Sequence, residues 1–370
     1  MMLDTVTKSV TEGREDPSAV TATTVETRVP IGVVGLNFGR HIVNDQLSTG
    51  PGARFFKLAA LCDIDQEKVS ALASPLGVKA YTSLDDLISD PAIPAIGLYT
   101  GPNGRAGLLR KIIRAGQDVM TTKPFENDPE AALAVLEEAR QLGRTIHLNS
   151  PGPVLPPDLA RIKQWQDTYQ LGQPVACRSD VWVQYREEAD GSWYDDPAKC
   201  PVAPIFRLGI YAINDLVALF GEAERVQVLS SRLFTGRPTP DNAQLGIRFK
   251  SGALANIFAS FCVGDGDHYR NSLVLNFEHG TVYRNSGPIR GEPLTEESEL
   301  SLVIRKDGRR HLAEQATVPA SGEYRWDLFH RAIRGEPIPD LLPVTAVVGG
   351  LKIIRAMSEA GCQDGLAQVL

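Results

Sequence analysis

The sequence predicts an α/β fold: a doubly wound parallel sheet followed by an α+β domain with a large open, mainly antiparallel sheet. Three observations carry this. From residue 29 to about residue 150, short apolar runs alternate with stretches of helical pattern, the arrangement that gives a parallel sheet covered on both faces. The first run, Ile31-Gly32-Val33-Val34, breaks into a glycine-rich turn and then a helix start. After Pro151-Gly152-Pro153 the chain changes to long β-type runs that fold back at turn signals.

In chain order, residues 1–28 are polar, rich in Thr, Ser and Glu, and lack the apolar core of a secretory signal. They are expected to be a disordered tail. Strands are expected at 30–36, 55–62, 95–100, 117–121 and 145–149, with helical patterns between them such as Gln66–Leu76 and Gly104–Ala115. The second of these helices ends at Gly116, a suitable C-cap. Pro129–Leu142 opens on a proline suited to a first helical turn and ends at Gly143. The first domain thus spans 29–150 and the second 151–370. In the second, β-type runs cover Pro174–Tyr185, Arg225–Phe234, Ala243–Phe261, Ser272–Arg284 and Leu300–Glu314. Turn signals stand at Lys250-Ser251-Gly252, Glu278-His279-Gly280 and Lys306-Asp307-Gly308. Helices are expected near Phe206–Leu219, Trp326–Ile333 and Val344–Glu359, the last packing back on the first domain.

Composition narrows the function classes. The 370 residues are 43% hydrophobic and 22% charged, the balance of a globular protein with room for a large core. A net charge of −7 argues against nucleic acid or an anionic membrane as partner. No apolar run approaches the roughly 20 residues that span a bilayer. Cysteines at 62, 177, 200, 262 and 362 stand far apart, without Cys-x-x-Cys or Cys/His clusters. No disulfide framework or metal site is expected, and a reducing cytoplasm is the simplest compartment.

The chemistry is expected at the strand ends. A strand, a Gly35-x-Asn37-x-Gly39 turn and a helix N-terminus form a pyrophosphate cradle. Asn37 is the non-glycine most tolerant of the left-handed region there. About 24 residues after Gly39, the second apolar run ends in Cys62-Asp63-Ile64, and an acid in that place suits the hydroxyls of an adenosine ribose. Together the two features point to dinucleotide binding. Thr100-Gly101-Pro102-Asn103 follows the third expected strand, and Thr121-Thr122-Lys123-Pro124 follows the fourth. Lys123 would bring an ammonium to a nicotinamide ring or a substrate hydroxyl. On the helix Phe206–Leu219, Arg207, Tyr211 and Asn214/Asp215 recur at helical spacing on one face, a catalytic face or a satisfied polar seam.

These residues in this order resemble the Gfo/Idh/MocA oxidoreductases, the group of glucose–fructose oxidoreductase and inositol dehydrogenase. The resemblance runs from about residue 29 to the C-terminus. It rests on GVVGLNFGR, Asp63, the TGPN loop, Lys123-Pro124, Gly209-x-Tyr211 and the hairpin FKSGALANIFASF. It implies a Rossmann domain, a second domain whose sheet is often a subunit interface, and hydride transfer between a nicotinamide and a carbohydrate-like hydroxyl. It departs from the family at Thr122, where Glu is usual, and along the helix, where Asp-x-Gly-x-His is common but Arg207 and Tyr211 stand.

The expected cofactor is NAD rather than NADP, because the Asp63 carboxylate repels a 2′-phosphate. Its site is Gly35, Asn37, Phe38, Gly39, Arg40, Asp63, Ile64, Thr100, Gly101, Asn103, Lys123 and Pro124. The substrate, a sugar, sugar acid or cyclitol, is expected to meet Lys123, Asn149, Tyr185, Trp193, Arg207 and Tyr211. Trp182, Gln184 and Tyr194 are expected to complete a sugar platform. Tyr211 is expected to move the hydroxyl proton, with Lys123 and Arg207 lowering its pKa from about 10. Arg207 is also placed to bind a substrate carboxylate. A homodimer or homotetramer is expected through the second sheet. Two alternatives stay open: a redox-neutral sugar lyase or glycosidase that retains NAD, and a dinucleotide-binding regulatory scaffold without turnover.

Overall fold

The computed structural model describes residues 28–266, 269, 271–287, 297–362 and 366–369. All but the last residue of the expected 1–28 tail lies outside them, as does the Cys362 side chain. The first sheet has six parallel strands: β1 (Val29–Val34), β2 (Phe56–Cys62), β3 (Lys79–Tyr81), β4 (Ala95–Leu98), β5 (Asp118–Thr121) and β6 (Ile146–Leu148). Their order is β3-β2-β1-β4-β5-β6. The strand order reverses at β1, between β2 and β4, so the crevice lies beyond the carboxyl ends of β1 and β4. Every residue of β4 and β5 is buried, as expected when helices cover both faces.

Local chemistry ends the helices where the sequence suggests. After α1 (Leu36–His41), α2 (Gln66–Leu76) is capped by Asp65, whose carboxylate accepts from the amides of Glu67 and Lys68, and ends at Gly77 with φ 63°. The short α3 (Leu84–Ile88) and α4 (Arg105–Arg114) follow. Asp128 caps α5 (Pro129–Gln141), which has proline in its first turn.

The second sheet has nine strands. β7 (Pro174–Trp182), β8 (Ala223–Ser231), β9 (Asn242–Phe249), β10 (Leu254–Ser260), β11 (Ser272–Phe277), β12 (Gly280–Arg284), β13 (Glu297–Lys306), β14 (Arg309–Pro319) and β15 (Leu366–Gln368) take the order β14-β13-β12-β11-β7-β10-β9-β8-β15. All adjacent pairs are antiparallel except β7 with β10. Along β9 and β10 burial alternates, one face packing under α6 (Pro157–Thr168), α7 (Ile210–Phe220) and part of α9 (Val344–Cys362).

Between these helices and the sheet, Arg284 pairs with Asp158 at 2.7 Å and with Asp215 at 2.7 Å, all three out of solvent. Burial pushes the Asp215 carboxyl up to about 6 against the opposing pull of Arg284.

Two helices return to the first sheet. On α9, Leu351 belongs to the first core, Met357 and Ala360 to the second, and Arg355 pairs with Glu130 of α5. α8 (Trp326–Ile333) also packs into the first core, although its sequence position lies in the second half. Trp326 meets Phe56 edge-on at 5.5 Å and donates its indole N–H to Gln46 at 3.0 Å. Burying such large aromatics favours the docked state by roughly 1.5–3 kcal/mol per side chain.

Candidate active site

At the end of β1, Gly35 turns the chain into α1 with φ 84°. A Cβ there would lie 3.0 Å from the backbone of Tyr99 and Thr100, so the turn runs hard against the end of β4. A Cβ on Gly39 would lie 3.1 Å from Val33, so this glycine sets the helix-to-strand approach. Asn37 corrects the sequence reading. It lies inside α1 without positive φ, because Gly35 alone makes the reversal; its side chain accepts from Lys68 Nζ at 2.8 Å. Gly35 brings no capping side chain to α1, and the Leu36 amide of its first turn is held by Asp63. The glycine turn still lets an anionic pyrophosphate come close to the backbone of the turn. Phe38, Arg40 and Ile64 are exposed along its rim.

Asp63 stands at the tip of β2 and faces the turn. Its carboxylate accepts from the amides of Leu36 (2.7 Å) and Asp65 (3.1 Å), and Lys68 Nζ lies 4.0 Å away. Each oxygen keeps acceptor capacity for a hydroxyl donor.

The next two strand ends are tied together by a residue the sequence reading missed. Arg105, in the first turn of α4, is 1% exposed. Its guanidinium donates to the carbonyls of Thr122 (2.6 Å), Phe125 (3.2 Å), Pro124 and Thr100, joining the TGPN loop to the Thr-Lys-Pro loop. An arginine at a helix start reads as solvent-facing, so no sequence signal marked it. Asn103 accepts from Asn127 at 2.8 Å, and the Lys123–Pro124 peptide is cis. The Thr100 hydroxyl is buried without a hydrogen bond among the described residues.

Lys123, Asn149, Arg207 and Tyr211 come together. Lys123 Nζ donates to the carbonyl of Arg207 and lies 4.7 Å from the Tyr211 ring centroid, over its face. Burial, with Arg207 nearby, lowers its pKa to about 7. Asn149, just past β6, accepts from the Lys123 amide (3.2 Å) and the Thr122 hydroxyl (3.4 Å). Its Nδ2 donates to the Tyr211 hydroxyl (3.2 Å) and to the Gly322 carbonyl (3.0 Å). Burial raises the Tyr211 phenol well above its ordinary value, against a smaller lowering by Asn149. The expected phenolate does not form, because Lys123 sits over the ring rather than at the oxygen.

The shared helix face is also corrected. A π-helical turn, Ile205–Gly209, precedes α7 and shifts Arg207 out of register. Tyr211 and Asn214 face Asn149 and Ser150, while Asp215 turns inward to Arg284. Arg207 makes a two-pronged pair with Glu187 at 2.6 and 2.9 Å, among the rings of Tyr185, Tyr194 and Phe261. Its fork is already filled, so the expected free carboxylate-binding arginine is not what the structure holds. Trp193 packs on Tyr194 with ring centroids 4.1 Å apart and touches Gly101, bridging the second sheet's loops to the first domain. Trp182 instead donates to Asp265 at 3.0 Å, and Gln184 lies against Gly264.

Cys62, Cys177 and Cys200 are buried, with thiols pushed up to about 11, 12 and 12. They are inert at neutral pH. Among the described residues no cluster of His, Cys, Asp and Glu could hold a metal, and no helix is long and apolar enough to cross a membrane.

This fold, with its glycine turn and strand-end acid, defines an NAD(P)-binding oxidoreductase. The chain belongs to the Gfo/Idh/MocA family: its NAD-binding Rossmann model matches residues 29–150 and its C-terminal domain model residues 159–283. An oxidoreductase of uncharacterised activity from Schizosaccharomyces pombe is 30% identical over 146 residues, 39% of each chain. The chain therefore spans well under half of that relative's length. A 1,5-anhydro-D-fructose reductase from Ensifer adhaerens is 22% identical over 81% of this chain and 88% of its own. Inositol 2-dehydrogenase from Rubrobacter xylanophilus is 28% identical over 41% and 43%. Among solved structures, levoglucosan dehydrogenase in complex with NADH has a TM-score of 0.66 at 14% identity, covering 93% of this chain and 100% of that one. At such identity the likeness is one of fold.

Proposed function

We propose that the chain is an NAD-dependent dehydrogenase or reductase that moves hydride between a nicotinamide and a carbinol carbon of a sugar, sugar acid or cyclitol. One observation carries it: a lysine with a pKa near 7, fixed at a strand end of the cofactor crevice beside an un-ionised tyrosine. The glycine turn, Asp63 and the Thr100–Asn103 loop hold the nucleotide, which supplies the hydride acceptor or donor when bound. Lys123 as the free amine takes the hydroxyl proton during oxidation and returns it as ammonium during reduction. Tyr211 donates a hydrogen bond to the same oxygen, and Asn149 fixes both groups. Relatives named as anhydrofructose reductase, inositol dehydrogenase and galactose dehydrogenase support the substrate class.

Nicotinamide absorbance followed across a panel of sugars, aldonic acids and cyclitols tests this; silence across the panel with either nucleotide sinks it. A second reading, redox-neutral chemistry on retained NAD, is favoured by Trp193 covering Gly101. Nicotinamide released on denaturing the purified protein would identify it. We also propose a cytoplasmic homo-oligomer joined through the open face of the second sheet, where Leu229 and Leu254 are exposed.

Asp63 underlies the preference for NAD. Asp63→Ser is expected to shift the NAD to NADP affinity ratio toward NADP by on the order of 1–3 kcal/mol, from a lost ribose bond and relieved phosphate repulsion. Titration of both nucleotides measures it. Lys68, 4.0 Å from the carboxylate, offsets part of the repulsion in the parent. Tighter binding of NADP by the unmodified protein would refute the preference.

A further inference from the structure

We infer that Glu187 makes the substrate pocket selective for neutral polyols over sugar acids and sugar phosphates, by closing Arg207 to anions. The inference rests on the carbohydrate reading above and decides between substrate classes that reading leaves together.

Two cations stand here: Lys123, assigned above to the reacting hydroxyl, and Arg207, whose backbone carbonyl holds Lys123 and whose guanidinium is left to meet an anionic group elsewhere on the substrate. That guanidinium is enclosed on most sides. The carbon centre lies 4.6, 4.5 and 4.8 Å from the ring centroids of Tyr185, Tyr194 and Phe261, and Glu187 occupies the fork through both oxygens. Glu187 is itself anchored. Its Oε2 also accepts from Arg237 Nε at 2.9 Å, and Arg237 pairs with Asp195 at 2.6 Å and Asp190 at 3.0 Å. The cluster thus sets two guanidiniums against three carboxylates, so the positive charge of Arg207 is already balanced before any substrate arrives. Arg105, the next arginine, is spent on four backbone carbonyls. A carboxylate or phosphate would have to displace Glu187 from a two-pronged, partly desolvated pair. A neutral hydroxyl ring needs no such exchange and can lie on Tyr185 and Trp193.

The test compares wild type, Glu187→Gln and the double variant Glu187→Gln/Arg207→Met. D-glucose and myo-inositol are set against D-glucuronate and glucose 6-phosphate. Binding to the NADH-loaded protein is read by calorimetry, and turnover where it occurs. Glu187→Gln keeps a hydrogen-bonding partner on Arg207 but removes the charge. Wild type is expected to favour the neutral compounds by about 10²-fold, and Glu187→Gln to narrow that gap about tenfold by improving the anions. The double variant should lose the improvement, which assigns it to Arg207 rather than to a loosened fold. Wild type preferring the anions, or an unchanged gap in a Glu187→Gln protein of parental melting temperature, overturns the inference and leaves the carbohydrate reading standing. If wild type binds none of the four, the carbohydrate reading falls and this inference falls with it.

Discussion

Lys123→Met is expected to lower turnover on the order of 10³-fold, within the range of a lost general acid–base group, while the protein remains folded. The methionine keeps the apolar stem against the Tyr211 ring and removes the ammonium. Stability gives an independent sign. The lysine pKa falls from 10.5 in the unfolded chain to about 7 in the folded one. Between those values the unfolded chain binds the extra proton, so stability rises with pH across that window. Below about pH 7 the full cost of burying the ammonium is present. Lys123→Met removes that cost, and its melting temperature at neutral pH is expected to match or exceed the parent's. Activity has the matching pH dependence. Oxidation needs the free amine and should rise through about pH 7 to a plateau; reduction needs the ammonium and should fall through the same pH. Both limbs should vanish in the variant. Turnover within a few-fold of the parent, or pH limbs that persist in Lys123→Met, would show that another group moves the proton.

Much of the first sheet was legible because its signals are local. The run into Gly35, the glycines after α4 and α5, and the proline opening α5 each act within a turn of the chain. The parallel contact of β7 with β10 was not legible, since nothing in either strand names its partner. Helix α6 was also missed. Its buried Leu159, Ile162 and Trp165 are spaced by three, but Pro156 and Pro157 before them read as a loop.

In the site, Lys123 and Asp63 announced themselves by standing at strand ends, which topology converts to one crevice. Glu187 and Gly322 lie in segments whose pattern is silent, Arg105 stands at a helix start that reads as solvent-facing, and the fold alone brings them in. Proximity was readable where orientation was not. Lys123 does lie beside Tyr211, yet over the ring face, so the phenol is raised by burial instead of lowered by charge.

That geometry sets the expectation for Tyr211→Phe: turnover about 10²-fold lower, with the limb near pH 7 left in place. The orientation of Asn149 decides it. Its Oδ1 accepts from the Lys123 amide and the Thr122 hydroxyl, so its Nδ2 must face Tyr211 and Gly322. The Tyr211 oxygen therefore accepts from Asn149, and its own proton is free to be donated to a substrate oxygen. A phenol held well above its ordinary pKa stays protonated for that role across the working range. The donated bond stabilises the oxygen as charge develops on it, and phenylalanine cannot supply it. The ring, its packing on Gly322 and its face toward Lys123 all survive the change, so folding and nucleotide binding should persist. The pH profile separates the two assignments. If Lys123 moves the proton, Tyr211→Phe keeps the parental limb at reduced height. If Tyr211 moves it, the limb disappears in Tyr211→Phe and survives in Lys123→Met, and the two residues exchange roles.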